Sequence, residues 1–170
     1  MEYTPKKALQ SVCSPLCAIA YTKILKEKES ALKRKETAKL KKEVKEKLKT
    51  KGDHLKELQT IFNKYIRLRD ADEPCISCGK YNTGKVDAGH FYSVGAYPNL
   101  RFNENNVFSQ CVTCNRHKHG NIHEYRIRIV ERIGQEAFDK LEELRNIPFK
   151  PTITEIDVLK KYYKNKLKSL

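Results

Sequence analysis

The sequence predicts a mostly α-helical protein with one small zinc-clamped strand–strand–helix finger, a long basic helix before it and further helices after it. Three observations predict this. Two Cys-x-x-Cys pairs, Cys75–Cys78 and Cys111–Cys114, bracket a stretch of short strand-like segments. A run dominated by Lys, Glu, Ala and Leu continues from residue 18 to Gly52 without Gly or Pro. Apolar residues recur at helical spacing on both sides of the cysteine pairs.

The totals bound the problem. The 170 residues carry a formal charge of +14, which points toward polyanionic partners. Residues 23–51 hold 13 Lys/Arg against 5 Glu, a net of +8, whereas residues 73–123 hold 5 Lys/Arg against 3 Asp/Glu, a net of +2. The positive field is therefore expected on an arm, away from the cysteine-bracketed stretch. No run of eighteen apolar residues offers a membrane span, and no signal-peptide pattern opens the chain, so no membrane partner and a cytoplasmic location are expected.

In chain order, residues 1–52 read as a helical arm with a Cys13-x3-Cys17 half-site, which has too few thiols to hold a metal alone. The arm is either a solvated helix or partly disordered linker, or a basic surface lying along a phosphate backbone through cations such as Lys33, Arg34 and Lys35. Residues 53–72 read as a helix capped by Asp53, packing Leu55, Leu58, Phe62, Tyr65, Ile66 and Leu68 against the finger. Arg67 and Arg69 flank that face, for phosphate or for Asp70 and Asp72.

Residues 73–123 form the finger. Two Cys-x-x-Cys knuckles are the spacing of a four-thiolate zinc site, and an all-sulfur set leaves no open position, so that zinc would be structural. The competing reading is two disulfides or four incidental thiols. Lys85–Tyr92 reads as one strand and Asn106–Gln110 as a second. Thr113 is expected to cap a short helix over Asn115–Lys118. That arrangement sets His90 on the first strand opposite Asn115 on the helix. The loop Ser93–Asn105 carries a single cation, Arg101, the candidate contact to a phosphate. Tyr92, Tyr97 and Phe102 either stack on bases or pack inside.

Residues 124–170 read as scaffold. Tyr125, Ile129 and Ile133 share one helix face, Gly134 breaks that helix, and Ala137, Phe138, Leu141 and Leu144 mark the next. Thr152 and Glu155 form a capping box opening the last helix, whose Lys160, Lys161, Lys164, Lys166 and Lys168 suggest a second basic surface.

Strand, strand and helix with His on the first strand and Asn on the helix resemble the ββα-metal (HNH-like) nuclease finger. More narrowly, Pro74-Cys-Ile-Ser-Cys-Gly79, Asp87-Ala-Gly-His-Phe91, Leu100-Arg-Phe102, Asn106-Val107, Gln110-Cys111, Cys114-Asn115 and Gly120-Asn121 are similar to the phage lambda NinG (Rap) recombination endonuclease family. The likeness runs from about Gln10 to the C-terminus, and Asp87-Ala-Gly-His90 also resembles the Asp-Arg-Gly-His signature of non-specific ββα-metal nucleases. The family usually carries an earlier cysteine pair completing a second small ribbon.

The resemblance implies a metal-dependent, structure-selective endonuclease acting on branched DNA such as Holliday junctions and D-loops, encoded by a phage or prophage. It implies His90 as general base, Asn115 and Asp87 as ligands of a catalytic Mg²⁺ or Mn²⁺, and Asn106 as the residue tying the loop to the backbone near the base. His119 is a candidate extra ligand, and Arg116 and Lys118 are candidate DNA contacts beside Arg101 and Arg67. Symmetric junction cutting implies a homodimer. The rival reading is a non-catalytic zinc module that binds nucleic acid, against which Asp87, His90 and Asn115 weigh, since a binder would carry Lys or Arg there.

Overall fold

The computed structural model describes residues 12–81 and 84–170, so the start of the N-terminal arm, including Gln10, lies outside the described residues. The chain divides into two compact units, Met1–Lys49 and Thr50–Leu170.

The first unit is helix α1, Pro15–Lys47, 33 residues long. Its start is set by Ser14, whose hydroxyl accepts from the Cys17 N–H at 3.2 Å, and by Pro15 at the first helical position. No residue of α1 is buried, and Leu32 and Leu40 are 61% and 62% exposed. The helix rests on propensity and local pairs such as Glu29–Lys33 at 2.8 Å. Cys13 and Cys17 place their sulfurs 3.1 Å apart, supplying two of the four ligands a closed zinc site needs.

The second unit opens with α2, Lys51–Arg69. Its cap is Thr50 and not Asp53. Thr50 accepts from the Asp53 N–H at 3.3 Å while Asp53 takes the Thr50 N–H at 3.0 Å, a reciprocal box that places Asp53 one turn inside. Leu58, Phe62, Tyr65 and Ile66 are buried, but Leu68 is 46% exposed. At about 100° per residue the stripe through Leu58 and Phe62 continues at position 69. Arg69 occupies it, held by Asp70 at 2.7 Å and the carbonyls of Glu104 and Val107 at 3.2 and 2.9 Å.

Strands β1 (Val86–His90) and β2 (Val107–Cys111) form an antiparallel pair, with Asp87 opposite Gln110 and His90 opposite Val107. A π-helical turn, Thr113–His117, follows. Helices α3 (Ile122–Ile133), α4 (Gln135–Glu143) and α5 (Ile153–Lys166) complete the unit, which is mostly helical around a two-stranded sheet.

Strand β2 is the wall between two apolar cores. Side chains alternate across a strand, so Val107 faces α2 and α5 with Phe62, Ile66, Ile156 and Tyr163. Phe108 faces the other way, onto Tyr125, Ile129 and Phe138 of α3 and α4. Each such side chain contributes about 1.5–3 kcal/mol by burial, so the hairpin is fixed from both sides. Gly134, at φ 81°, separates α3 from α4. Leu144 lies beyond α4 in a short 3₁₀ turn and is 37% exposed, so it does not extend that helix's apolar face.

The C-terminal capping box forms as expected: Glu155 takes the Thr152 N–H at 2.6 Å, and Thr152 takes the Glu155 N–H at 3.2 Å. The lysines of α5 divide into two groups. Lys160 is buried and pairs with Asp157 at 2.7 Å and Glu57 at 3.0 Å, and Lys166 pairs with Glu104 at 2.7 Å. Those two cations bind α5 to the rest of the unit, leaving Lys161, Lys164 and Lys168 for an exposed basic surface.

Candidate metal centre and adjoining cleft

The first knuckle is closed by the Gly79 N–H donating to the Cys75 carbonyl at 2.8 Å, with Gly79 at φ 68° where a β-carbon is disfavoured. Ile76 N–H donates to the Ser109 carbonyl at 3.1 Å, fastening this knuckle to β2. The second knuckle continues directly from β2. The four sulfurs of Cys75, Cys78, Cys111 and Cys114 lie within 4.8 Å of one another. Tetrahedral zinc at about 2.3 Å from each sulfur sets sulfurs about 3.8 Å apart, so the cluster fits a structural metal such as zinc.

Burial and the surrounding groups set the ionisation of these thiols. Burial opposes ionisation of Cys75, yet N–H groups of Cys78, Cys111 and Ser77 aimed at its sulfur hold its pKa below the ordinary value. Burial pushes Cys111 and Cys114 up, helped by the neighbouring sulfurs. Four thiolates therefore cannot gather unless a cation pays for the charge, and binding it releases protons. Among the described residues, no other His, Cys, Asp and Glu side chains gather this way.

Gly89, one residue before His90, has a steric reason. A β-carbon there would collide with the Gln110 side chain, which crosses β1 to donate to Ser77 Oγ and to the Gly120 carbonyl, both at 2.5 Å. The buried Tyr125 hydroxyl donates to the Gly89 carbonyl at 2.8 Å and pins the strand. His90 then reaches the Arg101 carbonyl with Nε2 at 3.0 Å. A carbonyl only accepts, so Nε2 carries the proton in the neutral ring and Nδ1 keeps its lone pair. Burial holds the His90 pKa below its ordinary 6.5; the carbonyl contact opposes this and the Arg101 charge adds to it.

Asn106, fully buried, fixes the other side of that loop. Its Oδ1 accepts from the Tyr92 N–H at 2.8 Å, and its Nδ2 donates to the carbonyls of Tyr92 and Leu100 at 3.0 and 3.1 Å. The carbonyl of Arg101, next in chain to Leu100, is thereby held where His90 needs it.

The segment after Cys114 differs from the expected capped helix. Thr113 lies inside the π-helical turn, with Lys118 N–H returning to its carbonyl at 2.9 Å, so its hydroxyl caps nothing. The wider turn brings Asn115 over β1, where Nδ2 donates to Asp87 Oδ2 at 3.0 Å. Arg116 forks onto the same carboxylate at 2.7 and 2.9 Å. The Arg116 contact, chiefly, holds the Asp87 pKa below its ordinary value. Both Asp87 oxygens are engaged, so Asp87 ligates a metal only if these partners leave. Asn115 spends its N–H₂ on Asp87 and keeps Oδ1 uncommitted.

Ala88, His90, Asn115 and His119 line one cleft of about 530 Å³. A hard divalent cation accepts a lone amide oxygen and completes its shell with water, so Asn115 fits Mg²⁺ or Mn²⁺ as a sparse ligand. The cations divide as follows. Arg116 is spent on Asp87, and Arg101 donates to Gln59 at 2.6 Å and is partly buried. Lys33 pairs with Glu29, whereas Arg34, Lys35, Arg67 and Lys118 have no ion pair or side-chain hydrogen bond among the described residues. Tyr92 donates to Glu142 at 2.6 Å, its pKa pushed up to about 12 by burial and that carboxylate, and Arg145 covers the rings of Tyr92 and Tyr97. With Phe102 packed on Phe62, the three aromatic rings serve packing.

Two supports escaped sequence reasoning, Gln110 and Ser77; Tyr125 is expected on a scaffold face, and the structure adds its hydrogen bond to Gly89. A long amide side chain in a strand that also holds Val107 and Phe108 is the one signal that could have flagged the first.

Known proteins resemble this chain over its whole length. The profile of a family described as "Bacteriophage Lambda NinG protein" matches residues 1–170. Protein ninG of Escherichia phage lambda is 45% identical, across 99% of this chain and 87% of its own length. Protein ninG of Salmonella phage P22 is 43% identical over 99% and 88%. That of Escherichia phage 933W is 45% identical over 72% and 61%. No solved structure matches significantly. With a profile spanning every residue and relatives above two-fifths identity over nearly all of it, the chain belongs to the NinG family of bacteriophage proteins.

Proposed function

We propose that this chain is a metal-dependent DNA endonuclease that hydrolyses phosphodiester bonds in branched recombination intermediates such as Holliday junctions and D-loops. The observation that carries the reading is one cleft lined by both His90 and Asn115, each with one side-chain atom, Nδ1 and Oδ1, left uncommitted. Each is left free because the other polar end of its side chain is committed elsewhere.

His90 Nδ1 takes the proton of an attacking water, and the Arg101 carbonyl holds the ring at Nε2 through the imidazolium that results. Asp87, clamped by Arg116, holds the Asn115 amide by its N–H₂ and leaves its oxygen for a ligand. Mg²⁺ or Mn²⁺ bound at that oxygen would supply charge neutralisation at the phosphoryl group. The zinc-type cluster has no open position and shapes the finger only. Arg34, Lys35, Lys118 and Arg67 are offered to phosphates, a contact that positions the duplex without reading sequence.

The branched substrate, the homodimer and action in the cytoplasm of an infected host rest on the likeness to recombination endonucleases. Two symmetric cuts need two cleft copies. Among the described residues no helix is long and apolar enough to cross a membrane.

The test is cleavage of a four-way junction and a linear duplex with Mg²⁺ or EDTA, comparing His90→Ala with the parent. Loss of the base should slow cleavage about 10²–10⁴-fold, with junction binding retained. Junction binding without cleavage in any divalent ion would make the protein a non-catalytic zinc-containing DNA binder. Parental rates in His90→Ala would falsify the assignment of the base.

A further inference from the structure

Three consecutive residues beside the cleft, His119, Gly120 and Asn121, have left-handed backbones, with φ of 48°, 87° and 45°. Glycine adopts that region freely and Asn tolerates it, but His is disfavoured there. Buried groups enforce the turn. The Gly120 carbonyl accepts from Gln110 Nε2 at 2.5 Å and from Ser77 Oγ at 3.1 Å, and its N–H returns to the Cys114 carbonyl at 2.9 Å. Gln110 and Ser77 are fully buried.

The enforced turn displays His119. His119 lines the same cleft as His90 and Asn115, is exposed, and has no side-chain hydrogen-bond or ion-pair partner among the described residues. Folding alone would be better served by Gly or Asn at that backbone. A strained position that presents an idle imidazole to a cleft is a pattern of functional sites.

We propose that His119 is a second catalytic residue of this cleft, giving a ring proton to the ester oxygen that leaves phosphorus. The assignment rests on the proposed function. In the step, the water oxygen forms its bond to phosphorus and its proton passes to His90 Nδ1. The bond from phosphorus to the ester oxygen breaks, and the oxygen's electron pair takes the proton of His119. Exchange with solvent then resets both rings. Asn115 keeps the cation, whose preference for oxygen leaves His119 for the substrate.

His119→Gly and His119→Asn test this, because both suit the left-handed backbone and remove the acid. The parent, both variants and His90→Ala are compared on junction DNA and on a nucleotide p-nitrophenyl phosphodiester, whose departing phenolate needs no proton. Melting temperature and half-saturating Mg²⁺ are read alongside. Both His119 variants should melt at or above the parent, need the same Mg²⁺, and lose about 10²-fold on DNA while the p-nitrophenyl ester is cleaved at close to the parental rate. His90→Ala should lose both activities. Parental rates on DNA, equal losses on the two esters, or a raised Mg²⁺ requirement would each overturn the role of His119 while leaving the cleft an active site. A parent that cleaves neither substrate in any divalent ion would remove the nuclease reading and this assignment together.

Discussion

His90 donates its Nε2 proton to the main-chain carbonyl of Arg101 at 3.0 Å, and that one contact determines which nitrogen can act as a base. The imidazole is also buried enough that its pKa falls below the ordinary 6.5. A base must be neutral to work, so the acid limb of the activity profile should be set by His90, with activity falling as pH drops through a value below 6.5. Stability should respond with the same sign. The unfolded chain binds the proton more readily, so stability is complete above about pH 6.5 and declines as pH falls toward the folded value. A cleavage profile whose acid limb lies well above 6.5 would mean that another group is titrating.

Asp87 holds the Asn115 amide while Arg116 holds Asp87. Asp87→Asn keeps the shape but removes the charge that fixes both partners. Activity should fall about 10–100-fold, the range seen for groups that orient a metal ligand, and the Mg²⁺ needed for half-maximal rate should rise. Arg116→Gln should do less, since Arg116 is exposed and Asp87 keeps its contact to Asn115. Unchanged Mg²⁺ dependence in Asp87→Asn would detach the carboxylate from the metal side of the cleft.

Gly89 and Gln110 make a coupled pair, because a β-carbon at 89 would strike the Gln110 side chain. Gly89→Ala should cost about 1–3 kcal/mol, the usual range for overpacking. Gln110→Ala should also destabilise, since it strips donors from Ser77 and the Gly120 carbonyl. The double variant should cost less than the sum, because the collision has gone. Denaturant melts of the four proteins check this, and simple additivity would show that the two side chains do not meet.

What was legible in the residues divides by the range of the interactions involved. The cysteine knuckles, the Thr152 capping box and the apolar stripes of α2 and α3 are local patterns, and spacing alone reveals them. Position 68 departs from the apolar periodicity because Leu and Arg trade places when Asp70 and two carbonyls can hold a largely buried guanidinium. The turn carrying Asn115 looked like an ordinary capped helix because π geometry depends on how far the chain must bulge to reach Asp87, 28 residues away. Gln110 and Ser77 act across 33 residues, and nothing local announces them.

The four-cysteine cluster predicts a metal content and a pH dependence. Purified protein should carry about one zinc per chain, and Cys78→Ser should unfold the finger, since structural zinc supplies on the order of 10 kcal/mol. Acid should release zinc as the thiolates reprotonate, because neighbouring sulfurs and burial favour the protonated forms of Cys111 and Cys114. Zinc analysis with thermal melts before and after chelation measures this. A soluble, fully active Cys78→Ser protein would show that the knuckles hold together without metal.

Helix α1 gives the last prediction, since none of its residues is buried and Thr50–Leu170 is a compact unit of its own. Removing residues 1–49 should leave the melting transition of the remaining unit nearly unchanged, because no described core residue is lost. DNA affinity should behave otherwise. Each phosphate neutralised by the arm steepens the plot of log affinity against log salt by about 0.9, so truncation should flatten that plot while the cleft residues remain intact. Replacing Arg34 and Lys35 by Gln in the full chain should flatten it in the same direction by up to about two phosphates' worth. An unaltered salt slope in both proteins would identify α1 as a solvated helix whose charge serves solubility and not DNA.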